Sequence, residues 1–423
     1  MHNSKFIVSH IAARRDYDVA TILYQNNQLD KLFIDAYYNE EHLKVFRFLD
    51  VILPKKIVNT YKRYQPSLPH EFIEYDWLLG LKYKLRLKLT NSQTNYKPVL
   101  EAYKHLAKNT LAYAKMKAQP HSYYGFDTSS KEFFEWAAPK GWFLILEQCI
   151  APRASQINML KQFQENYGID QKINIEQCKM LQAREEKEWQ LASIIIAPSE
   201  YVKVELLKAG APEAKIRIVP FGYDLNKHSN FHTGILEKRF SEKSKKIRVL
   251  FAGNVVYRKG INEIISIAKD LHNENIEFIL AGNIHEAIRK DIKLFNLKNV
   301  RILGKLSISA LHQEYLKSDI FLFPSYLEGS AMVIFEAMSW GLPVVTTYQS
   351  GSVIESGKEG YLCHAGDTEK LKANLLSLVY NNKKRLLMSE NARITVEKYS
   401  LKYYQDNLLE AINFKDKLAT VVH

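Results

Sequence analysis

The chain of 423 residues is poor in cysteine: Cys149, Cys178 and Cys363 are the three it has, widely spaced and odd in number. They offer neither a disulfide framework nor zinc-ligand spacing, which fits a reducing compartment. Long apolar runs are also missing. None approaches the roughly 18 residues of a membrane span, and the start MHNSKFIVSHIAARRD lacks the apolar core of a signal peptide. The expected location is cytoplasmic, at most peripheral at the inner face of the cell membrane. No G-x-G-x-x-G follows the first apolar run, which argues against a nicotinamide dehydrogenase. GSVIESGKE (351–359) fails as a phosphate-binding P-loop, because five residues separate its glycines and Glu359 stands where Ser or Thr is needed. HExxH, CxxC and clustered carboxylates are absent, so neither a metal nor a cofactor is expected.

What is present is ordinary in bulk and uneven in placement. A hydrophobic content of 46% and a charged content of 25% suit a globular protein, and the length suffices for two or three cores. The formal net charge is +13. Residues 77–126 hold nine basic groups (Lys82, Lys84, Arg86, Lys88, Lys97, Lys104, Lys108, Lys115, Lys117) against Glu101 alone. They interleave with Trp, Tyr and Leu, as in DWLLGLKYKLRLKL (76–89). A solvated basic surface and contact with an anionic membrane both fit this pattern. Nucleic acid would fit the charge, but no nucleic-acid-binding motif accompanies it, so no such partner is expected.

Strand and helix signals alternate twice over. FIVSH (6–10), KLFIDAYY (31–38), HSYYGF (121–126), WFLILEQ (142–148), SIIIAPS (193–199) and IRIVPF (216–221) are apolar runs separated by helical stretches. IRVLFAG (247–253), IEFILAG (276–282), VRILG (300–304), IFLFPS (320–325) and PVVTT (343–347) repeat the rhythm. Alternation of this kind predicts an α/β protein with parallel sheets covered by helices. Residues 40–118 interrupt it with long, aromatic-rich material read as a helical, basic insertion. The polar stretch 222–246 reads as a linker into a second domain.

One segment stands out, PSYLEGSAMVIFEAMSWGLPVV (324–345). An apolar run ending in Pro-Ser precedes it, and Gly341-Leu342-Pro343 stops the helix that follows. Glu328 therefore lies on the loop at a strand's carboxyl end, and Glu336 in the second turn of the next helix. By themselves they could be two solvated carboxylates. The corner is nevertheless where open α/β sheets bind ligands, with a helix N-terminus facing an anion.

The spacing of Glu328 and Glu336, with EG…FEAMSWGLPVV around them, resembles the E-x7-E signature of retaining family-four glycosyltransferases. VLFAGNVVYRKG (249–260) looks like that family's glycine-strand turn, and IIIAPSEYVKVELLKAG (194–210) and KIRIVPFGYD (215–224) resemble it more weakly. The resemblance implies a GT-B fold: two Rossmann-like domains with a cleft between. On that reading residues 1–221 bind the acceptor, 222–398 bind the donor, and 399–423 form a terminal helix crossing back to the first domain.

The implied reaction moves a sugar from a nucleotide-diphosphate donor, without metal, to a glycan or lipid-linked acceptor in bacterial surface polysaccharide biosynthesis. Arg258 and Lys259 would stabilise the leaving diphosphate, and Gly253 and Asn254 would line it. The commoner family pattern has arginine where this chain has Asn254. Ser330, Ala331, Met332 and Val333 would offer backbone N–H groups to the diphosphate, with Ala331 standing where many relatives have glycine. Glu336 would accept the ribose hydroxyls, Glu328 would hold the transferred sugar, and Gly304, Lys305 and Leu306 would meet the base through their backbone. On the acceptor side, the expected glycine-rich loop is replaced by HIAARR (10–15). There Arg14 and Arg15 are either acceptor contacts or a helix-leading basic pair. Asp127 is either a site carboxylate or a helix N-cap, and Glu147 is a further candidate. A catalytically idle sugar-nucleotide-binding protein and a nucleotide-sugar epimerase of the same fold are the alternatives.

Overall fold

The computed structural model describes residues 5–37, 65–89, 96–118, 121–168, 175–228, 246–294 and 296–413. The chain divides into two compact units, Met1–Ile196 with Leu206–Arg217, and Ala197–Glu205 with Ile218–His423. Most of the expected linker, 229–245, lies outside the described residues, as do 40–64 and 90–95 of the expected insertion.

The first unit is built on β1 (Phe6–His10), β2 (Leu29–Ile34), β3 (Ile73–Tyr75), β4 (Ser122–Phe126), β5 (Phe143–Glu147), β6 (Ile194–Ala197) and β7 (Ile216–Ile218). They line up as β3-β2-β1-β4-β5-β6-β7, with parallel pairing at β1–β2, β1–β4, β2–β3, β4–β5 and β5–β6. β1, β4 and β5 are buried at every residue. Burial on both faces is why they read as unbroken apolar runs rather than alternating ones. The insertion is not wholly helical. Beside its helices Trp77–Leu89 and Lys97–Ala114 it contributes β3, which extends the sheet edge.

The second unit carries β8 (Ile247–Ala252), β9 (Ile276–Ala281), β10 (Val300–Gly304), β11 (Ile320–Phe323), β12 (Val344–Thr347) and β13 (Gly360–Cys363). Their order is β10-β9-β8-β11-β12-β13, with parallel pairings throughout. The helix Ile261–Asp270 buries Ile261, Ile264, Ile265, Ile267 and Ala268, an apolar stripe at helical spacing pressed on the sheet. Each of these isoleucines contributes roughly 1.5–3 kcal/mol by leaving water. Met332–Ser339 buries Ile334, Phe335, Ala337 and Met338 in the same way. Asp367, Asn381 and Ser400 cap the last three helices through their side chains, which fixes where each begins.

Both sheets share one topological property. In the first, the chain leaves β1 toward β2 but leaves β4 toward β5, on the opposite side; in the second, β8 and β11 diverge likewise. Loops leaving neighbouring strands in opposite directions open a crevice at the strands' carboxyl ends, where α/β proteins bind ligands.

Candidate active site

At the β8/β11 crevice the loops after the two strands bring Arg258, Lys259 and Glu328 together. Arg258 Nη1 donates to Glu328 Oε1 at 2.9 Å, and Lys259 Nζ donates to the same oxygen. Ser325 Oγ donates to it at 2.7 Å. Arg258 also donates to the Leu327 carbonyl, while Tyr326 N–H donates back to the Arg258 carbonyl at 2.9 Å, so the two loops are laced together. The Glu328 side chain is only 13% exposed. Burial pushes its carboxyl up, but Arg258 and Lys259 outweigh that and hold it below the ordinary carboxylate range. The Lys259 ammonium is itself held down by burial, with Arg258 adding to the effect and Glu328 opposing it.

Gly260 makes this geometry possible. Its φ is +76°, and a Cβ there would lie 2.0 Å from the Pro324 carbonyl oxygen. Only glycine lets the two loops approach so closely.

The helix Met332–Ser339 begins beside the cluster with no side-chain cap. The Ala331 N–H donates to the Ser350 carbonyl at 3.1 Å, so it is not available to a diphosphate, and the expected set of four amides narrows to Ser330, Met332 and Val333. The Ser330 hydroxyl is buried with no hydrogen-bond partner among the described residues. A buried, unsatisfied hydroxyl next to unpaired helix amides suits an anion. Ala331 is buried, so its methyl group packs into the unit rather than standing in solvent.

Glu336 lies one helical turn further on. Tyr315 donates to its Oε2 at 3.2 Å, and His312 Nε2 stands 3.8 Å from Oε1. Burial lowers the affinity of His312 for its proton. Gly253 (φ +140°) ends β8, and Asn254 beside it is exposed. At the end of β10, the Gly304 carbonyl accepts from Gly282 N–H at 2.8 Å. Lys305 is exposed and Leu306 packs on the core.

In the first unit the β1/β4 crevice gathers the four residues singled out there, but commits Arg15 and Glu147 to each other and brings Arg14 and Asp127 to Cys149. Arg15 donates to Glu147 through both terminal nitrogens, at 2.5 and 3.1 Å, and to Asp18 at 2.9 Å. Tyr124 donates to Glu147 at 2.6 Å. Glu147 is buried, so it does not present a free carboxylate to an acceptor. Arg14 Nη1 reaches Cys149 Sγ at 2.8 Å and stacks over Phe126, while its buried Nε has no partner among the described residues.

Asp127 is not a helix N-cap. It accepts the Cys149 N–H at 3.1 Å, and the N–H groups of Thr128, Ser130 and Lys131 go to Glu188 instead. Glu188 lies on a helix some 60 residues downstream, and no local pattern signals it. The loop after β1 takes left-handed φ values at Ala12, Arg15, Asp16 and Tyr17 without a glycine. Non-glycine residues held there cost on the order of 1 kcal/mol each. The bonds from Ala12 N–H to Asp35 and from His10 to the Ala12 carbonyl, with the Arg15 pairs, hold the loop in place.

These features have counterparts among known proteins. Residues 235–395 match the family model described as Glycosyl transferases group 1, and that segment is a domain of this kind. The sulfoquinovosyl transferase SQD2 of Arabidopsis thaliana is 30% identical over 216 residues, 49% of this chain and 42% of that protein. The capsular polysaccharide biosynthesis glycosyltransferase CapM of Staphylococcus aureus is 25% identical over 217 residues, 49% of this chain and 57% of that one. The chain thus spans about half the length of these curated relatives. The crystal structure of HepE from Anabaena in complex with UDP matches with a TM-score of 0.61 at 14% identity, covering 97% of this chain and 99% of the other. The fold is GT-B, each unit Rossmann-like.

Proposed function

We propose that this protein is a retaining, metal-independent glycosyltransferase. It transfers a sugar from a nucleotide-diphosphate donor to a glycan or lipid-linked acceptor, in the assembly of bacterial surface polysaccharide. The observation that carries the reading is the Arg258–Lys259–Glu328 cluster at the β8/β11 crevice, beside a helix N-terminus with an unpartnered buried hydroxyl. Two cations and a set of N–H dipoles meet where a departing diphosphate gathers charge, which is the work a metal would otherwise do. The relatives that make capsular polysaccharide or bind UDP support the donor class and the pathway.

The residues divide the work by chemistry. Arg258 and Lys259 exchange their bond to Glu328 for the diphosphate, and the Ser330 hydroxyl with the amides of Ser330, Met332 and Val333 takes the remaining oxygens. Glu336 accepts the ribose hydroxyls in bidentate fashion. The base lies against the backbone of Gly304, Lys305 and Leu306, and Gly253 and Asn254 line the diphosphate. Glu328, released from its cations, accepts hydroxyls of the transferred sugar and favours positive charge at the anomeric carbon. The leaving phosphate oxygen takes the acceptor proton on the same face, so the configuration is kept and no enzymic base is required. Arg14 and Asp127 remain the acceptor-side candidates, with Arg15 and Glu147 positioning them.

A thermal-shift panel of uridine and guanosine diphosphate sugars identifies the donor, because a bound ligand raises the melting temperature by mass action. Transfer with that donor should survive a chelator and give a product of unchanged anomeric configuration by NMR. An inverted product would sink retention, loss of rate in chelator would sink metal independence, and no shift with any sugar nucleotide would sink the donor site.

A further inference from the structure

The helix Trp77–Leu89 is apolar on two opposite sides. Leu79 and Gly80 face inward and are buried, and a Cβ at Gly80 would stand 2.7 Å from the Asp35 carbonyl oxygen, so that side is pressed onto the chain just after β2. On the other side Leu78, Leu81 and Leu85 are 79%, 67% and 56% exposed. At about 100° per residue the three fall within a stripe roughly 60° wide. Lys84 flanks that stripe on one side and the exposed Lys82 on the other.

Single exposed leucines are commonplace, but three aligned and bordered by cations are not a solvated face. Between this helix and Lys97–Ala114 runs a groove of about 200 Å³ that Leu78, Lys82, Arg86, Glu101 and Ala102 help to line; Arg86 is paired with Glu101 there, and Lys82 adds a further positive charge. The whole segment 77–126 has nine basic residues against one acidic. Its charge complements a surface that is negative over a wide area rather than at one point.

We propose that the outer face of Trp77–Leu89 docks this protein on an anionic lipid bilayer. The helix lies in the plane of the interface, with Leu78, Leu81 and Leu85 at the boundary of headgroups and acyl chains and Lys82 and Lys84 against lipid phosphates. Among the described residues no helix is long and apolar enough to cross a membrane, so this contact is peripheral. The inference uses the first unit alone and is independent of the transferase reading.

The test is co-sedimentation of the full chain with vesicles of phosphatidylcholine, alone or mixed with phosphatidylglycerol. Binding should be at least about tenfold stronger to the anionic vesicles and should weaken as salt is raised. The double variants Leu81→Ser/Leu85→Ser and Lys82→Gln/Lys84→Gln should each lower anionic binding by roughly tenfold or more. Thermal midpoint and circular dichroism should stay as in the parent, since the leucines removed are exposed. If the leucine variant is misfolded, the lysine variant decides alone. Equal binding to both vesicle types, no binding, or undiminished binding by the variants overturns the proposal. So does a leucine-dependent dimer that ignores lipid.

Discussion

Replacing Glu328 by glutamine removes one negative charge from between two cations while keeping the shape of the side chain. At the observed 2.9 Å the Arg258–Glu328 pair has a gross attraction of about 6 kcal/mol at an effective dielectric near 20. Desolvation cancels most of this, and a charge-assisted hydrogen bond is worth about 1.5–3 kcal/mol net. Two consequences pull in opposite directions. Stability falls by about 2–4 kcal/mol, because Arg258 and Lys259 lose their shared counter-charge in a site where Glu328 is only 13% exposed. Affinity for a nucleoside diphosphate rises, by roughly 1–2 kcal/mol or 5–30-fold, because the diphosphate no longer competes with Glu328 for the same two cations. Turnover should nevertheless collapse, since in the proposed mechanism this carboxylate favours positive charge at the anomeric carbon. Lys259, already held down by burial and by Arg258, loses the carboxylate that opposes them and titrates lower still, which should move the alkaline limb of the rate profile toward neutral pH. Calorimetry with uridine and guanosine diphosphate, a donor-hydrolysis assay and a thermal melt read the three quantities separately. Tenfold weaker nucleotide binding in the variant would refute the idea that Glu328 competes with the donor.

Glu336→Ala should weaken donor binding by about 1.5–3 kcal/mol in calorimetry, with little effect on the melt, because the carboxylate is partly exposed and Tyr315 keeps its burial. Gly260→Ala should cost at least about 3 kcal/mol or abolish folding, as its Cβ would collide with the Pro324 carbonyl at 2.0 Å in a left-handed backbone; a melting temperature within a degree of the parent would contradict this. Glu185 is buried, and burial pushes its carboxyl up to about 8 against the pull of Arg153. The folded chain therefore binds a proton more tightly than the unfolded one, so this group's contribution to stability is full below about pH 4.5 and is lost as pH rises toward 8. Glu185→Gln should flatten that slope in denaturant titrations at pH 5 and pH 8, and should be relatively more favourable at the higher pH.

How much of this was legible in the sequence depended on the range of the interactions. β1, β5, β8, β9 and β11 were visible as apolar runs because both their faces are buried. β3 and β13 are only partly buried, and neither IEY nor GYLC forms an unbroken apolar run that rises above the loops around it. Glu328, Glu336, Arg258 and Lys259 could be singled out because a strand, a tight turn and a helix fix them locally, and the motif preserves that local spacing. Glu188 could not: it satisfies three amides from a helix that meets them only after the chain has folded. The alternative that Asp127 caps the helix Lys131–Ala137 fails for the same reason, since the distant Glu188 takes the amides. The loop at residues 11–17 was also opaque. Its left-handed residues are not glycines, and what holds them is Asp35 and Glu147, far along the chain.

The two crevices show that one topology can gather charge for different ends. Both lie between diverging parallel strands, where loop backbone and helix ends converge and polar groups must find partners. In the second unit the accounting does not close: Ser330 keeps an unmatched hydroxyl, and the helix at Met332 begins without a cap. A site with unmet donors and a cation pair anchored by one carboxylate is built to receive an anion, and its binding energy comes from completing those bonds. In the first unit Arg15, Glu147, Tyr124 and Asp18 complete one another, while the Arg14 Nε has no partner among the described residues. Such a network stabilises a loop that contains four left-handed non-glycine residues, so much of its charge serves shape. On the proposed reading donor recognition rests on a short local motif, whereas the loop after β1 takes its form from pairs with Asp35 and Glu147, far along the chain. That division explains how the loop after β1 keeps its turn without a glycine.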